Sequence, residues 1–204
     1  MKSKTFFILL LIMSMLFPEI EVQAHPSQAK KSLVVFFSRK GKNYLNGDIV
    51  NLKVGNTEVV AMKIRALTDS DWFEIETVNT YPVGYYETTQ VAQQELNEKV
   101  RPKLRRTLHH LNEYDVIYIG YPIWWGTMPM ALLTFLESYD FSGKTIFPFC
   151  THEGSSMGSS ERDLKKACPD STFLPGLAVL GSNVHESNKE IAQWLEKVQV
   201  GVYK

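Results

Sequence analysis

Two neighbouring tryptophans, Trp124 and Trp125, lie in a segment rich in proline and glycine that directly follows an apolar run. The segment reads Gly-Tyr-Pro-Ile-Trp-Trp-Gly-Thr-Met-Pro over residues 120–129, and the apolar run covers 116–119. In an open α/β sheet, ligands bind beyond the carboxyl ends of the strands, which is where such a segment would lie. Aromatic rings there offer a flat apolar surface to another ring. The segment therefore predicts a site for a planar cofactor, with an interface patch for a protein partner as the alternative.

Phosphate-binding chemistry is indicated by two short polar segments on either side of an insertion that covers residues 40–54. The first segment ends an apolar run and the second opens a helical pattern, and backbone N–H groups and hydroxyls at a helix N-terminus bind phosphate. The candidate residues are Ser38, Arg39, Gly55, Asn56 and Thr57. An ordinary helix cap, which uses the same residue types, is the alternative. Neither the P-loop motif nor the dinucleotide-binding fingerprint is present, which argues against a nucleoside triphosphatase and a Rossmann site.

A third loop, residues 151–158, lies between a predicted strand and a predicted helix and would add a further wall to the site. Its candidate residues are Thr151, His152, Gly154 and Ser155. The loop also contains Gly-Ser-Ser-Met-Gly, which matches the G-x-S-x-G pattern of α/β-hydrolases and would make Ser156 a nucleophile. A serine hydrolase is thus an alternative, although little of the fold remains after Ser156 to carry an acid and a histidine.

The positions of these loops depend on strands that are buried on both faces. Continuous apolar runs are typical of such strands, and they occur at 33–37, 116–119 and 145–149. More polar runs at 71–76 and 172–180 predict edge strands, and amphipathic helical patterns lie between the strands. This alternation predicts an α/β fold with a doubly wound five-stranded parallel sheet between two helix layers. Within the run 145–149, Pro148 predicts a bulge.

The composition is that of one soluble globular domain. The chain has 204 residues, of which 44% are hydrophobic and 22% are charged, as in ordinary folded domains. Lys and Arg together number 22, and so do Asp and Glu. This balance indicates no binding to nucleic acid or to an anionic membrane surface. The spacing of His, Cys and carboxylate residues indicates no metal site.

The first residues predict a secretory signal peptide. Two lysines precede an apolar stretch over 6–17, and Val-Gln-Ala at 22–24 is a typical small-residue cleavage site. The apolar stretch is shorter than the roughly 20 residues that a membrane-spanning helix needs. We therefore expect a signal peptide over 1–24, a linker over 25–32 and one domain over 33–200. The mature protein is expected to be exported, to the periplasm or the extracellular space, without stable insertion into a membrane.

The chain resembles flavodoxin-like proteins, in particular a bacterial subgroup whose central loop reads Gly-Tyr-Pro-Ile-Trp-Trp-Gly. The likeness extends from Leu33 to the C-terminal helix and includes Gly55-Asn56-Thr57, Ser142-Gly143-Lys144 and Phe149-Cys150-Thr151-His152. It implies a flavodoxin-like three-layer sandwich with strand order 2-1-3-4-5. It also implies that FMN binds noncovalently across the three loops, at the point where the strand order reverses.

The resemblance also implies a role for each loop. The residues concerned are Ser38, Gly55, Asn56 and Thr57 for the phosphate, Pro122, Ile123, Trp124, Trp125 and Gly126 for the isoalloxazine ring, and Thr151, His152, Gly154 and Ser155 for the polar edge of the ring. One departure from the family pattern is the insertion 40–54, which splits the phosphate loop. Arg39 or Asn43 is therefore a further candidate for a phosphate contact.

The function implied by the resemblance is that of an FMN-binding redox protein that transfers electrons to a protein or to a small quinone-like acceptor. If the chain is an enzyme, it would be an FMN-dependent oxidoreductase, and an NAD(P)H-dependent FMN quinone reductase is one alternative. A serine hydrolase that uses Ser156 and a flavodoxin-like scaffold that binds only protein are the others. The neutral charge balance differs from the acidic surface of typical flavodoxins, which weakens the case for a cationic partner.

Overall fold

The computed structural model describes residues 30–202. The expected signal peptide lies outside these residues, and so does the expected linker up to residue 29. Of the helices that are described, none has the length and apolarity needed to cross a bilayer.

Eight strands and five helices alternate along the described residues. The strands are β1 (Ser32–Phe36), β2 (Gly41–Leu45), β3 (Asp48–Leu52), β4 (Asp71–Glu74), β5 (Val116–Pro122), β6 (Thr145–His152), β7 (Thr172–Phe173) and β8 (Leu177–Leu180). The helices are α1 (Asn56–Thr68), α2 (Tyr85–Glu98), α3 (Met130–Glu137), α4 (Ser160–Ala167) and α5 (Asn188–Val202).

Six of the strands form one parallel sheet with the order β4-β1-β5-β6, followed by β7 and β8, which both pair with β6. The hairpin strands β2 and β3 lie outside this sheet, and β7 and β8 share its last position. If the five positions of the sheet are numbered in chain order, β1, β4, β5, β6 and β7/β8 become 1 to 5, and the order across the sheet is 2-1-3-4-5, as predicted. The carboxyl ends of β1, β5 and β6 therefore lie side by side at one edge of the sheet. The three loops that follow these strands meet at that edge.

The bulge predicted at Pro148 is absent. The register between β5 and β6 runs without an offset from Val116–Thr145 to Pro122–Thr151, and Pro148 pairs with Ile119. The carbonyl of Ile146 accepts the N–H of Leu174 on the edge side of β6 (3.0 Å). The backbone nitrogen of Pro148, two residues later, points to the same side of β6. It lies at the gap between β7 and β8, where no carbonyl of a neighbouring strand needs an N–H donor. The interrupted edge strand thus tolerates a proline that has no N–H to give.

Alternate side chains of the central strands pack against different helix layers. On one face, Val34 and Phe36 belong to a buried cluster that includes residues of α1 and α5. On the other face, Leu33 and Val35 belong to a cluster that includes residues of α3 and α4. This arrangement confirms the predicted three-layer sandwich. Leu67, near the end of α1, lies outside both clusters and is 54% exposed.

The insertion between β1 and α1 is a β-hairpin. Its strands β2 and β3 pair antiparallel in a separate two-stranded sheet, with Tyr44 opposite Ile49. The turn is formed by Asn46 and Gly47, whose φ angles are 50° and 100°. An Asn-Gly pair is the preferred sequence for such a two-residue turn, because both residues must adopt positive φ. We call residues 41–52 the hairpin.

The close approach of Gly120 to the ring of Phe149 generates a test of the central sheet. Gly120 lies opposite Phe149 in the β5–β6 register, and a Cβ at residue 120 would overlap the buried ring. We expect Gly120→Ala to lower the free energy of unfolding by about 1–3 kcal/mol, because the packed core cannot accommodate an added methyl group without strain. Urea denaturation measures this change.

A double variant gives the control for this prediction. Adding Phe149→Leu removes the ring that the new methyl group would meet, so the two changes together should cost less than the sum of their separate costs. Strict additivity, or an unchanged stability of Gly120→Ala, would contradict the proposed steric conflict.

Candidate functional site

A cleft of about 440 Å³ lies at the carboxyl ends of β1, β5 and β6, a volume typical of small-molecule sites. Its lining includes eleven of the residues proposed from the sequence: Ser38, Arg39, Asn43, Asn56, Thr57, Pro122, Ile123, Trp124, Trp125, Thr151 and His152. The tertiary structure therefore brings all three predicted loops to one cavity. We call this cavity the cleft.

Four further candidates support the loops without lining the cleft: Gly55, Gly126, Gly154 and Ser155. Gly55 precedes α1, where a Cβ would overlap the hydroxyl of Ser38 and lie 2.7 Å from the Arg39 carbonyl. The carbonyl of Gly126 accepts the N–H of Ser159 (2.8 Å) and so connects the second and third loops.

The N-terminus of α1 offers unused hydrogen-bond donors. Gly55, the N-cap residue, has no side chain to cap the helix, and the hydroxyl of Ser38 accepts the N–H of Glu58 instead (3.1 Å). The N–H groups of Asn56 and Thr57 have no acceptor within residues 30–202. Free N–H groups in a first helical turn attract anions, because the helix dipole is positive at this end. This end of the cleft is therefore suited to a phosphate.

A pair of buried hydroxyls connects the first and third loops. Thr57 and Thr151 are 2% and 4% exposed, and their hydroxyl oxygens are 2.8 Å apart. Each hydroxyl carries one proton, and only one of the two protons is used between them. The second proton remains available to a ligand in the cleft.

The guanidinium of Arg39 is already hydrogen-bonded within the protein. Its terminal nitrogens donate to four backbone carbonyls and one amide oxygen, those of Lys42, Pro82, Val83, Gly84 and Asn43. Burial lowers the pKa of the guanidinium. Arg39 thus ties the base of the hairpin to the turn before α2, and a phosphate contact would require some of these bonds to break.

The tryptophan loop is rigid because it is a tight turn with a supporting layer behind it. Trp124 and Thr127 exchange two backbone hydrogen bonds of 2.9 and 3.1 Å, and Trp125 and Gly126 between them have positive φ angles of 51° and 78°. The ring of Trp124 is nearly perpendicular to those of Phe37 and Tyr81, with centroids 5.4 and 5.0 Å away. These contacts fix one aromatic wall of the cleft.

Trp125 is held differently and is more accessible. Its indole N–H donates to the carbonyl of Thr89 in α2 (2.8 Å), and the residue is 52% exposed. The polar end of the ring is therefore satisfied while much of its apolar surface stays open. An exposed aromatic of this kind can contact a ligand or a docking protein.

The hairpin and α2 provide a side of the cleft that the sequence did not predict. The lining residues on these two elements are Asn43, Tyr44, Leu52, Tyr85, Tyr86, Thr88, Thr89 and Ala92, and Glu153 of the third loop also lines the cleft. Of these, only Asn43 was singled out, as a phosphate contact. The Asn-Gly turn would have predicted the hairpin, but no sequence signal places the hairpin against α2.

His152 is a neutral hydrogen-bond acceptor at one ring nitrogen. Its Nδ1 accepts the N–H of Gly154 (2.9 Å), and burial lowers the pKa of the imidazole. The proton of the neutral ring is therefore on Nε2, which leaves that atom as a donor. Neighbouring Ser155 is exposed, and its carbonyl accepts the N–H of Gly158 (3.2 Å).

The G-x-S-x-G segment lacks the partners of a catalytic serine. Ser156 is exposed and has a φ of 51°. In the part of the chain that the structure describes, no hydrogen bond joins its hydroxyl to a histidine or a carboxylate. A serine nucleophile needs such a base within hydrogen-bond reach. The geometry therefore gives the hydrolase alternative no support.

No cluster of three or more His, Cys, Asp or Glu side chains that could hold a metal ion occurs among residues 30–202.

A half-buried acid lies behind the tryptophan wall. The hydroxyl of Tyr81 donates to the carboxylate of Glu95 (2.7 Å), and Tyr81 in turn packs against Trp124. Burial raises the pKa of Glu95, and the hydrogen bond from Tyr81 opposes this effect only in part. Burial also raises the pKa of Tyr81, so the phenol remains the donor.

This pair predicts a pH-dependent stability. A raised pKa in the folded state means that stability falls as the pH rises from the ordinary carboxyl value through the folded-state pKa of Glu95. Glu95→Gln cannot ionise but keeps an oxygen that accepts from Tyr81. We therefore expect Glu95→Gln to be more stable than the wild type, and the difference in the free energy of unfolding should grow as the pH rises through this range. Urea titrations at several pH values measure this difference.

Glu98→Gln, a change of an exposed glutamate in the same helix, is the matched control. If the difference between Glu95→Gln and the wild type does not depend on pH, the burial of the carboxyl does not affect stability as described.

Comparison with known proteins identifies the family of this chain. The family model described as Flavodoxin matches residues 50–198. A provisionally named flavoprotein from Bacteroides eggerthii is 30% identical, with a TM-score of 0.68, and the match covers 83% of this chain and 98% of that chain. A similar one from Bacteroides uniformis is also 30% identical, with a TM-score of 0.65 and coverage of 83% and 99%.

A flavoprotein from Lactobacillus acidophilus, solved in complex with FMN, is 22% identical, with a TM-score of 0.56 and coverage of 78% of this chain and 98% of that chain. At this identity the likeness concerns the fold. The search of curated proteins found no match. The family match covers well over half of the chain, and it agrees with the strand order and with the three loops that meet at the cleft. The chain therefore belongs to the flavodoxin family.

Proposed function

We propose that this protein binds FMN in the cleft and transfers electrons between a donor and either a protein or a quinone-like acceptor. The observation that carries the proposal is that one cleft joins unused N–H donors at the start of α1 to the wall formed by Trp124. A phosphate and a planar ring are the two parts of FMN that need such surfaces. Family membership and the FMN complex of the Lactobacillus acidophilus protein support the assignment.

The residues at the phosphate end fit the group. A Cβ at residue 55 would fill the space beside Ser38, so glycine keeps the backbone open at this position. The N–H groups of Asn56 and Thr57 would donate to phosphate oxygens, together with the spare proton of the Thr57–Thr151 pair. These donors are fixed by α1 and by the sheet, so little ordering is required when the phosphate binds.

The residues at the ring end fit as well. Trp124 is fixed from behind by Phe37 and Tyr81, and it provides a flat apolar surface. His152 of the third loop also lines the cleft, and its Nε2 is a hydrogen-bond donor. When bound, FMN supplies the electron-transfer chemistry. The protein's residues hold the ring, exclude water from one face and donate hydrogen bonds to its polar edge.

The acceptor class is inferred from the mouth of the cleft. Trp125 and Tyr86 line the cleft and are 52% and 68% exposed. An accessible aromatic rim suits transfer to a partner that docks at this edge or to a small planar acceptor such as a quinone. We further propose that the mature protein works outside the cytoplasm, on the basis of the signal peptide expected over residues 1–24.

Binding of FMN is the first prediction to test. Purified protein lacking residues 1–24 is incubated with FMN and desalted, and its visible absorption spectrum is recorded. Retained flavin bands are expected, because the preformed cleft should hold the cofactor through gel filtration. A colourless protein after this treatment would be inconsistent with the proposed function.

The second prediction concerns the wall of the cleft. Trp124→Ala should weaken FMN binding by about 1–3 kcal/mol, roughly 5- to 150-fold in Kd, because a stacked aromatic surface is lost. Titration followed by flavin fluorescence measures Kd. Trp72→Ala is the matched control, since Trp72 is a half-exposed tryptophan on the edge strand β4 and does not line the cleft. Equal Kd values for Trp124→Ala and the wild type would exclude the stacking role.

A further inference from the structure

The hairpin and the start of α2 add further aromatic side chains to the cleft. Tyr44 from β2 and Tyr85 and Tyr86 from α2 line the cleft, as do Trp124 and Trp125 from the tryptophan loop. The ring centroids of Tyr44 and Tyr85 are 6.0 Å apart with an interplanar angle of 31°, and those of Tyr85 and Tyr86 are 5.3 Å apart. Aromatic side chains thus line the cleft from the tryptophan loop and also from the hairpin and α2.

The hairpin connects the loop after β1 with the loop after β6. At its base, Arg39 binds the carbonyls of the turn before α2. At its tip, the N–H of Asn46 donates to the carboxylate of Glu153, which follows β6 and lines the cleft (3.2 Å). Between these points, Tyr44 packs against Tyr85. The hairpin therefore spans the cleft from the end of β1 to the loop after β6.

The hairpin depends on these contacts for its position. Within residues 30–202, β2 and β3 pair only with each other, and a two-stranded ribbon is marginally stable without packing. Tyr44 is still 40% exposed in this arrangement. A planar ligand in the cleft would cover part of this aromatic surface and add a contact that favours the closed hairpin.

We propose that the hairpin closes the cofactor site, with Tyr44 contacting the isoalloxazine ring and Asn46 fastening the tip to Glu153. The inference rests on the proposed binding of FMN. It assigns a binding role to residues that the three predicted loops do not contain. It also makes release of the cofactor depend on opening of the hairpin, which must break the contacts at Tyr44 and Asn46.

Equilibrium binding of two flavins tests the role of Tyr44. Kd is measured for FMN and for riboflavin, which lacks the phosphate, with the full-length mature protein. Tyr44→Ala should raise both Kd values by the same factor, about 2- to 12-fold, because the lost contact is to the ring. Tyr44→Phe keeps the aromatic surface and should restore both values.

The matched control is Ile49→Ala, because Ile49 lies opposite Tyr44 in the hairpin but does not line the cleft. Its Kd values should remain close to those of the wild type. Unchanged binding by Tyr44→Ala, an effect on FMN alone, or an equal loss in Ile49→Ala would each overturn the proposed ring contact. If the wild type itself binds neither flavin, the proposed function fails and this inference fails with it.

The rate of FMN release tests the fastening at the tip. Glu153→Ala and Glu153→Gln both remove the negative charge, but only Gln keeps an oxygen that can accept from Asn46. We expect Glu153→Ala to release FMN faster than Glu153→Gln in stopped-flow measurements. Equal release rates for the two variants would show that the hydrogen bond to Asn46 does not close the site.

Discussion

The parallel pairing of β1, β5 and β6 decides where the three loops of the cleft lie. Parallel strands end at the same edge of a sheet, so their register brings Ser38, Pro122 and Thr151 to one cavity although they are far apart in the chain. The pairing requires buried apolar side chains on both faces of each strand. It also requires glycine at residue 120, where the ring of Phe149 fills the space of a side chain.

Polar groups at this edge are arranged so that some remain unused. Ser38 takes the place of a helix cap, which leaves the N–H groups of Asn56 and Thr57 at the start of α1 free within the described chain. The hydroxyls of Thr57 and Thr151 form one hydrogen bond with each other, which leaves one hydroxyl proton available to a ligand. Donors without a protein acceptor at a helix N-terminus attract anions. A ligand with acceptor oxygens would use them, which connects the fold of this edge to its proposed function.

The aromatic half of the cleft is supported in layers. Glu95 accepts a hydrogen bond from Tyr81, Tyr81 packs against Trp124, and Trp124 faces the cleft. The hairpin faces the same space and is held by Arg39 at its base, by the packing of Tyr44 against Tyr85 and by Asn46 at its tip. Within the described residues its two strands pair only with each other, which suits an element that must open to admit a flat ring.

Apolar runs and turn residues are local signals, and from them the sequence predicts the parallel sheet, the three loops and their residues from Ser38 to Ser155. The strand order follows from the resemblance to flavodoxin-like proteins. Three features are visible only in three dimensions: Tyr44 and Tyr85 join the same cleft, Arg39 donates to the turn before α2, and Pro148 needs no bulge. Each of these depends on contacts between segments that are distant in the chain, and such contacts follow from packing in three dimensions, which no local pattern encodes.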